Sequence, residues 1–83
     1  MDIRRKRLLY QSTHRGTKEA DLLLGGFASA HLARLTEPQL DRFEALLQEN
    51  DADLVDWIME KAPAPACHHH DVLALIRADR RGL

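Results

Sequence analysis

The sequence predicts an all-α fold, a small bundle of about five short helices. Three observations carry this: apolar residues recur at helical spacing in several segments, cap signals punctuate those segments, and no strand signal interrupts them. Strict alternation is missing, β-branched residues are few, and no Asn-Gly turn occurs.

The first helix is expected over about residues 3–14, with Ile3, Arg7, Tyr10 and His14 on one line, flanked by Leu8 and Leu9. His14 and Arg15 suit the negative end of its dipole, and Gly16 is the residue type that closes a helix in the left-handed conformation. Thr17 is a cap for the next helix, and Glu19 and Asp21 place negative charge in its first turn. That second helix, over about 18–35, carries the stripe Leu24, Phe27, Ala28, His31 and Leu35. Gly25-Gly26 inside it costs about 1 kcal/mol per Gly and implies either close packing against another helix or a break.

Thr36-Glu37-Pro38-Gln39 is a capping box with proline in the first turn, so a third helix covers about 37–48 and buries Leu40, Phe43, Leu46 and Leu47. Asn50-Asp51 offers a left-handed residue followed by a new cap, which opens a fourth helix over about 53–60 with Leu54, Trp57 and Ile58 inward. Pro63 and Pro65 end it in a stiff connector. The last helix is expected over about 70–80, with Val72, Leu75, Ile76 and Asp79 in line, Leu73 beside them and Gly82 past its end.

Length and charge bound the function. A chain of 83 residues is read as one domain, 1–83, and at that size folding buries only about 60% of the unfolded surface, so no deep enclosed pocket is expected. The net charge of −1 hides an asymmetry: residues 1–18 hold six Lys/Arg against one Asp, and residues 19–60 hold ten Asp/Glu against two Arg. Basic partners suit the middle of the chain, and acidic partners the start. With one cysteine, Cys67, there is no internal disulfide. No apolar run reaches the roughly 18 residues of a membrane span, and Leu8-Leu9-Tyr10 is too short an apolar stretch after Arg4-Arg5-Lys6-Arg7 for a signal peptide. A cytoplasmic protein is the plain expectation.

Three constellations bear on chemistry. Arg4 to Arg7 is a phosphate-binding cluster in principle, but cations spread around a helix without interleaved aromatics read first as a solvated face. Cys67-His68-His69-His70 has the ligand types for zinc or copper, yet adjacent residues on an irregular segment point apart, so adventitious metal uptake and a loose polar loop before the last helix, with His70 or Asp71 near its start, are the expectation. Cys67 is the sole thiol for nucleophilic catalysis, with neither cleft nor oxyanion site, and the chain is read as not an enzyme. His31 is read as a core-edge histidine with a hydrogen-bond partner, and Trp57 as core that so small a bundle cannot bury fully.

Taken together, Arg15-Gly16-xx-Glu19 with Asp21, Leu46-Leu47, and Asp51-x-Asp53-Leu54-xx-Trp57-Ile58 resemble the SdhE family, the succinate dehydrogenase assembly factors or flavinators of bacteria and mitochondria. The resemblance covers about residues 3–80 and implies a small helical bundle, monomeric alone, that binds the flavoprotein subunit of succinate dehydrogenase, in some organisms that of fumarate reductase. It implies promotion of covalent FAD attachment to that subunit, with no cofactor bound by the chain itself. Carried over, Arg15, Gly16, Glu19 and Asp21 are the flavoprotein-facing residues, and Asp51, Asp53 and Trp57 a peripheral or structural element. Ala52 and Val55 depart from the pattern, which has proline and an aromatic there, and the Cys67 to His70 run lies outside it. The competing readings are a metal-handling module built on that run and a nucleic-acid module built on the basic helix.

Overall fold

The computed structural model describes residues 1–80. Five α-helices follow one another: α1 Ile3–Thr13, α2 Lys18–His31, α3 Glu37–Leu47, α4 Asp51–Ile58 and α5 Asp71–Asp79. Single 3₁₀ turns at Leu32–Arg34 and Ala66–His68 lead out of α2 and into α5. Among the described residues there is no strand, and no helix is long and apolar enough to cross a membrane.

Each helix begins at a side-chain cap, which satisfies backbone donors that have no intrahelical partner. Asp2, Thr17, Thr36 and Asn50 accept from the backbone N–H three residues on, and Thr36 with Gln39 closes the expected capping box. Asn50 is therefore the cap itself, in extended conformation at φ −76, so α4 starts at Asp51, two residues before the expected position, and no left-handed residue precedes it.

The core runs through all five helices. Leu8 from α1, Leu24, Phe27 and Ala28 from α2, Leu40, Phe43 and Leu46 from α3, Leu54 and Ile58 from α4, and Val72, Leu73 and Ile76 from α5 are all buried. Phe27 and Phe43 meet with ring centroids 5.5 Å apart, tying α2 to α3. Two expected faces are rotated. On α1 the line through Ile3 and Tyr10 points outward, those residues being 82% and 63% exposed, and the buried pair is Leu8 and Ser12. Ser12 is tolerated there because its Oγ donates to the Leu8 carbonyl at 2.7 Å. On α5 it is Leu73 that is buried and Leu75 that is exposed. Gly82 lies outside the described residues.

Gly25-Gly26 does not break α2, and the two glycines have different roles. A Cβ on Gly25 would lie 2.9 Å from Thr13 Cγ2 and 3.4 Å from the Ser12 carbonyl, so this residue lets α1 and α2 approach. A Cβ on Gly26 would meet nothing within 4 Å. α2 ends at His31, earlier than expected, and Leu35 still reaches the core by way of the 3₁₀ turn.

The end of α4 has no glycine. Glu60 takes the left-handed conformation at φ 59, the Glu60 N–H donates to the Trp57 carbonyl and the Lys61 N–H to the Asp56 carbonyl, the paired bonds of a Schellman cap. The helix thus stops at Ile58, before the prolines act.

The glycine pair yields a differential prediction. Gly26→Ala should raise stability by about 0.5–1 kcal/mol by restricting the unfolded chain, whereas Gly25→Leu should lower it by about 1–3 kcal/mol through overpacking. Urea titrations of the two variants measure both.

Candidate functional site

The turn between α1 and α2 and the turn between α3 and α4 are joined by one arginine. Arg15 sends its Nε to Asp51 Oδ1 at 2.7 Å, one terminal nitrogen to the Leu47 carbonyl at 2.8 Å and the other to the Glu49 carbonyl at 2.8 Å. Leu47 is the last residue of α3, so the guanidinium caps the negative end of that helix, and not of its own as the sequence led us to expect. Its side chain is only 12% exposed and that of Asp51 18%.

Asp51 uses its second oxygen to accept the Gly16 N–H at 2.6 Å, and Asp21 accepts the Arg15 N–H, also at 2.6 Å. The loop His14 to Thr17 is thereby held from both flanks. Burial works against ionisation of Asp51, but hydrogen bonds from the Arg15 guanidinium and the Gly16 N–H, with the Arg15 charge, outweigh it and hold the carboxyl below its ordinary range. Gly16 is not in the left-handed region; its constraint is spatial, since a Cβ there would stand 3.0 Å from Asp51 Oδ2.

Of the sequence-predicted residues, the fold thus brings Arg15, Gly16, Asp21 and Asp51 together. Glu19, in the first turn of α2, lies on the exposed side and makes no hydrogen bond or ion pair among the described residues. Asp53 sits in the first turn of α4, bonded to the Asn50 cap by its backbone and side chain. Trp57 is 7% exposed, more fully buried than so small a chain led us to expect, and packs on His68 at a centroid distance of 5.5 Å.

The Cys67 to His70 run is not a loose loop. His68 is 4% exposed and bonds through Nε2 to Glu49 Oε2 at 2.7 Å, and His69 bonds through Nε2 to the Ala64 carbonyl at 2.6 Å. His70 caps α5, its Nδ1 accepting the Leu73 N–H at 3.2 Å, and Cys67 is exposed. Among the described residues no three His, Cys, Asp or Glu side chains converge as a metal site. His31 bonds to Asp79 at 3.0 Å while stacking on Phe27, as a core-edge histidine should.

The basic cluster is largely engaged within the chain. Arg4 reaches Asp41 at 2.6 Å and Glu44 at 3.0 Å on α3, and Arg5 donates to the Leu32 and Leu35 carbonyls. These contacts dock the cations of α1 on the acidic face of α3 and on the 3₁₀ turn, leaving Lys6 and Arg7 as exposed members. Glu49 was missed by sequence reasoning. Its carbonyl binds Arg15 and its carboxylate His68, a bridge between distant segments that no local pattern announces.

Two pH effects follow. Asp51 has a lowered native pKa, so the unfolded chain takes up the proton first, and its stabilisation is present above about pH 3.9 and lost as pH falls through the native value. Asp51→Asn should therefore cost about 1–3 kcal/mol at neutral pH, and the difference from wild type should shrink in acid. Burial, then the neighbouring His68, lowers the pKa of His70. Stability contributed by this neutral cap is complete above about pH 6.5 and declines as pH falls toward the lowered native value. His70→Asn keeps a cap without titrating, so its melting temperature should fall less than that of wild type between pH 7 and 5.

The comparisons with known proteins agree with this frame. The sequence profile described as the flavinator of succinate dehydrogenase, Sdh5, matches residues 6–80. A protein of Dictyostelium discoideum named succinate dehydrogenase assembly factor 2, mitochondrial, is 48% identical over 73 residues, 88% of this chain and 52% of the relative. The FAD assembly factor SdhE of Acetobacter pasteurianus is 40% identical over 62 residues, 75% of this chain and 57% of the relative. A Danio rerio assembly factor 2 is 37% identical over 79 residues, 93% of this chain and 50% of the relative. The chain thus spans about half the length of these curated relatives. With the matched region running from α1 through α5, and the Arg15 to Glu19 element inside it, the chain belongs to the SdhE family of succinate dehydrogenase assembly factors, the flavinators.

Proposed function

We propose that this chain binds the flavoprotein subunit of succinate dehydrogenase and promotes covalent attachment of FAD to it, acting as a non-catalytic maturation factor. The observation that carries this reading is the pinned turn: Arg15 and Gly16 are locked by Asp51, Asp21 and the end of α3, while Glu19 stands beside them with no hydrogen bond or ion pair among the described residues. A carboxylate carried on a fixed backbone is a polar contact ready for another protein, because only its side-chain rotamers and not the turn have to be ordered on binding. The names of the relatives, which speak of succinate dehydrogenase assembly and FAD assembly, support the choice of client.

In this reading Glu19 and the exposed backbone at Gly16 touch the client. Arg15 acts through position: each nitrogen of its guanidinium is engaged, by Asp51 or by the carbonyls of Leu47 and Glu49, and it sets the path of the turn. Covalent flavinylation requires the client's acceptor side chain held against the flavin ring. A helper needs only to bind the competent arrangement of the apo-subunit more tightly than the others, and the population shifts by that difference in affinity.

Co-expression with the flavoprotein subunit from the same host, read as ultraviolet fluorescence of covalent flavin on a denaturing gel, tests the reading. Fluorescence should depend on this chain and be lost with Gly16→Arg. Because a side chain at position 16 presses on Asp51, Glu19→Arg is the cleaner variant: with no bond to lose among the described residues it should cost only its favourable place in the first turn of α2, about 1 kcal/mol, and still abolish the signal. Equal fluorescence with and without the chain would overturn the assignment.

A further inference from the structure

Beside Glu19 the surface opens into an apolar groove that the pinned turn does not use. Leu22 stands on α2, 50% exposed, and Val55 on α4 and Met59 just past its end face it, with Leu23 in the floor and Lys61 at the rim. A polar shelf adjoins it, where Glu19, Val55 and Lys61 are joined by Asp56, Asp51 and Ala52. An amphipathic helix normally carries a polar residue where Leu22 sits, and a half-exposed leucine above a buried one leaves apolar area in water.

Charge narrows what covers it. Asp51 is neutralised by Arg15, but the carboxylates of Glu19 and Asp56 have no cation or hydrogen-bond donor among the described residues, and they share the shelf with the single ammonium of Lys61. The rim is thus apolar with a net negative edge. The occupant that fits is a chain segment with an apolar side chain next to Lys or Arg.

We propose that the Leu22, Val55 and Met59 groove is a docking site for such a basic-apolar segment of the client bound by the Arg15 to Glu19 turn, the apolar side chain entering between α2 and α4 and the cation turning to Glu19 and Asp56. This rests on the function proposed above. Glu19 belongs to both surfaces and makes them one continuous interface.

The experiment is calorimetric titration of the full chain against the flavoprotein subunit of succinate dehydrogenase from the same host, with Leu22→Asp, Leu22→Met, Asp56→Lys and Glu19→Arg. Leu22→Asp should weaken binding at least tenfold and Leu22→Met should restore it, with far-ultraviolet melting curves of all variants close to wild type. Asp56→Lys should weaken binding and flatten its dependence on salt. If Glu19→Arg abolishes binding while Leu22→Asp binds as wild type, the groove proposal is overturned and the assembly function stands. If the wild-type chain does not bind the subunit, both fail. Sedimentation provides the remaining arm: self-association lost in Leu22→Asp, with client binding unchanged, would make a second copy the occupant and overturn the proposal.

Discussion

Every helix leaves its last carbonyls without intrahelical donors, and five short helices in a chain this size make that the governing constraint of the fold. Here arginines from other segments meet it. Arg15 serves the end of α3, Arg5 the 3₁₀ turn after α2, and Arg77 and Arg80 the Trp57 and Ile58 carbonyls at the end of α4. One planar guanidinium satisfies several spread acceptors while linking two elements, to which its rigid fork of five donors is better suited than the compact ammonium of a lysine. Arg15 reaches furthest along the chain of these, because it joins two turns that are 36 residues apart in sequence at Asp51. Removing it would orphan the carbonyls of Leu47 and Glu49 and leave Asp51 without its countercharge.

This arrangement explains which parts of the fold were legible in the sequence. Starts of helices were in part, since a cap is a local device: Thr17 and Thr36 with Gln39 act within three residues as the sequence indicates, whereas at α4 the cap is Asn50 and not the expected Asp51. Core faces were legible where large apolar residues dominate, as in α3, and misleading in α1, where Tyr10 and Ile3 lie on the outside and a serine lies within. Tyr10 finds its partner locally, stacking on His14 at a centroid distance of 3.8 Å, so its exposed position follows from no hydrophobic period. Ends of helices were least legible. Glu60 adopts a left-handed conformation that its residue type does not advertise, and it is held there by Arg80 through a contact spanning 20 residues.

The candidate site divides along the same line. The motif residues were identifiable by resemblance, but their division of labour was not, because a guanidinium turned inward and one turned outward share one spelling. Geometry separates them: Arg15 and Asp51 build the turn, Gly16 leaves room for Asp51 to accept from its backbone, and Glu19 faces outward with no hydrogen bond or ion pair among the described residues. The histidine run shows the opposite case, a pattern of ligand types whose members each found a structural partner. His68 fills the space between Trp57 and Glu49, and His70 begins α5.

A rigid turn suits the maturation factor proposed above. If the client reaches its competent state only when two of its own segments come together, the helper must present a surface whose shape does not relax onto the incompetent state, since binding both equally shifts nothing. The constraints that keep the turn from relaxing are the Asp51 bonds from both sides and the Asp21 bond to the Arg15 N–H, none of which involves an outward-facing atom of Glu19. On the proposed function, stability and recognition are therefore carried by different residues of one short motif. A substitution in the first set changes the frame, one in the second changes only the contact, and comparing the two separates the energy of folding from the energy of assembly.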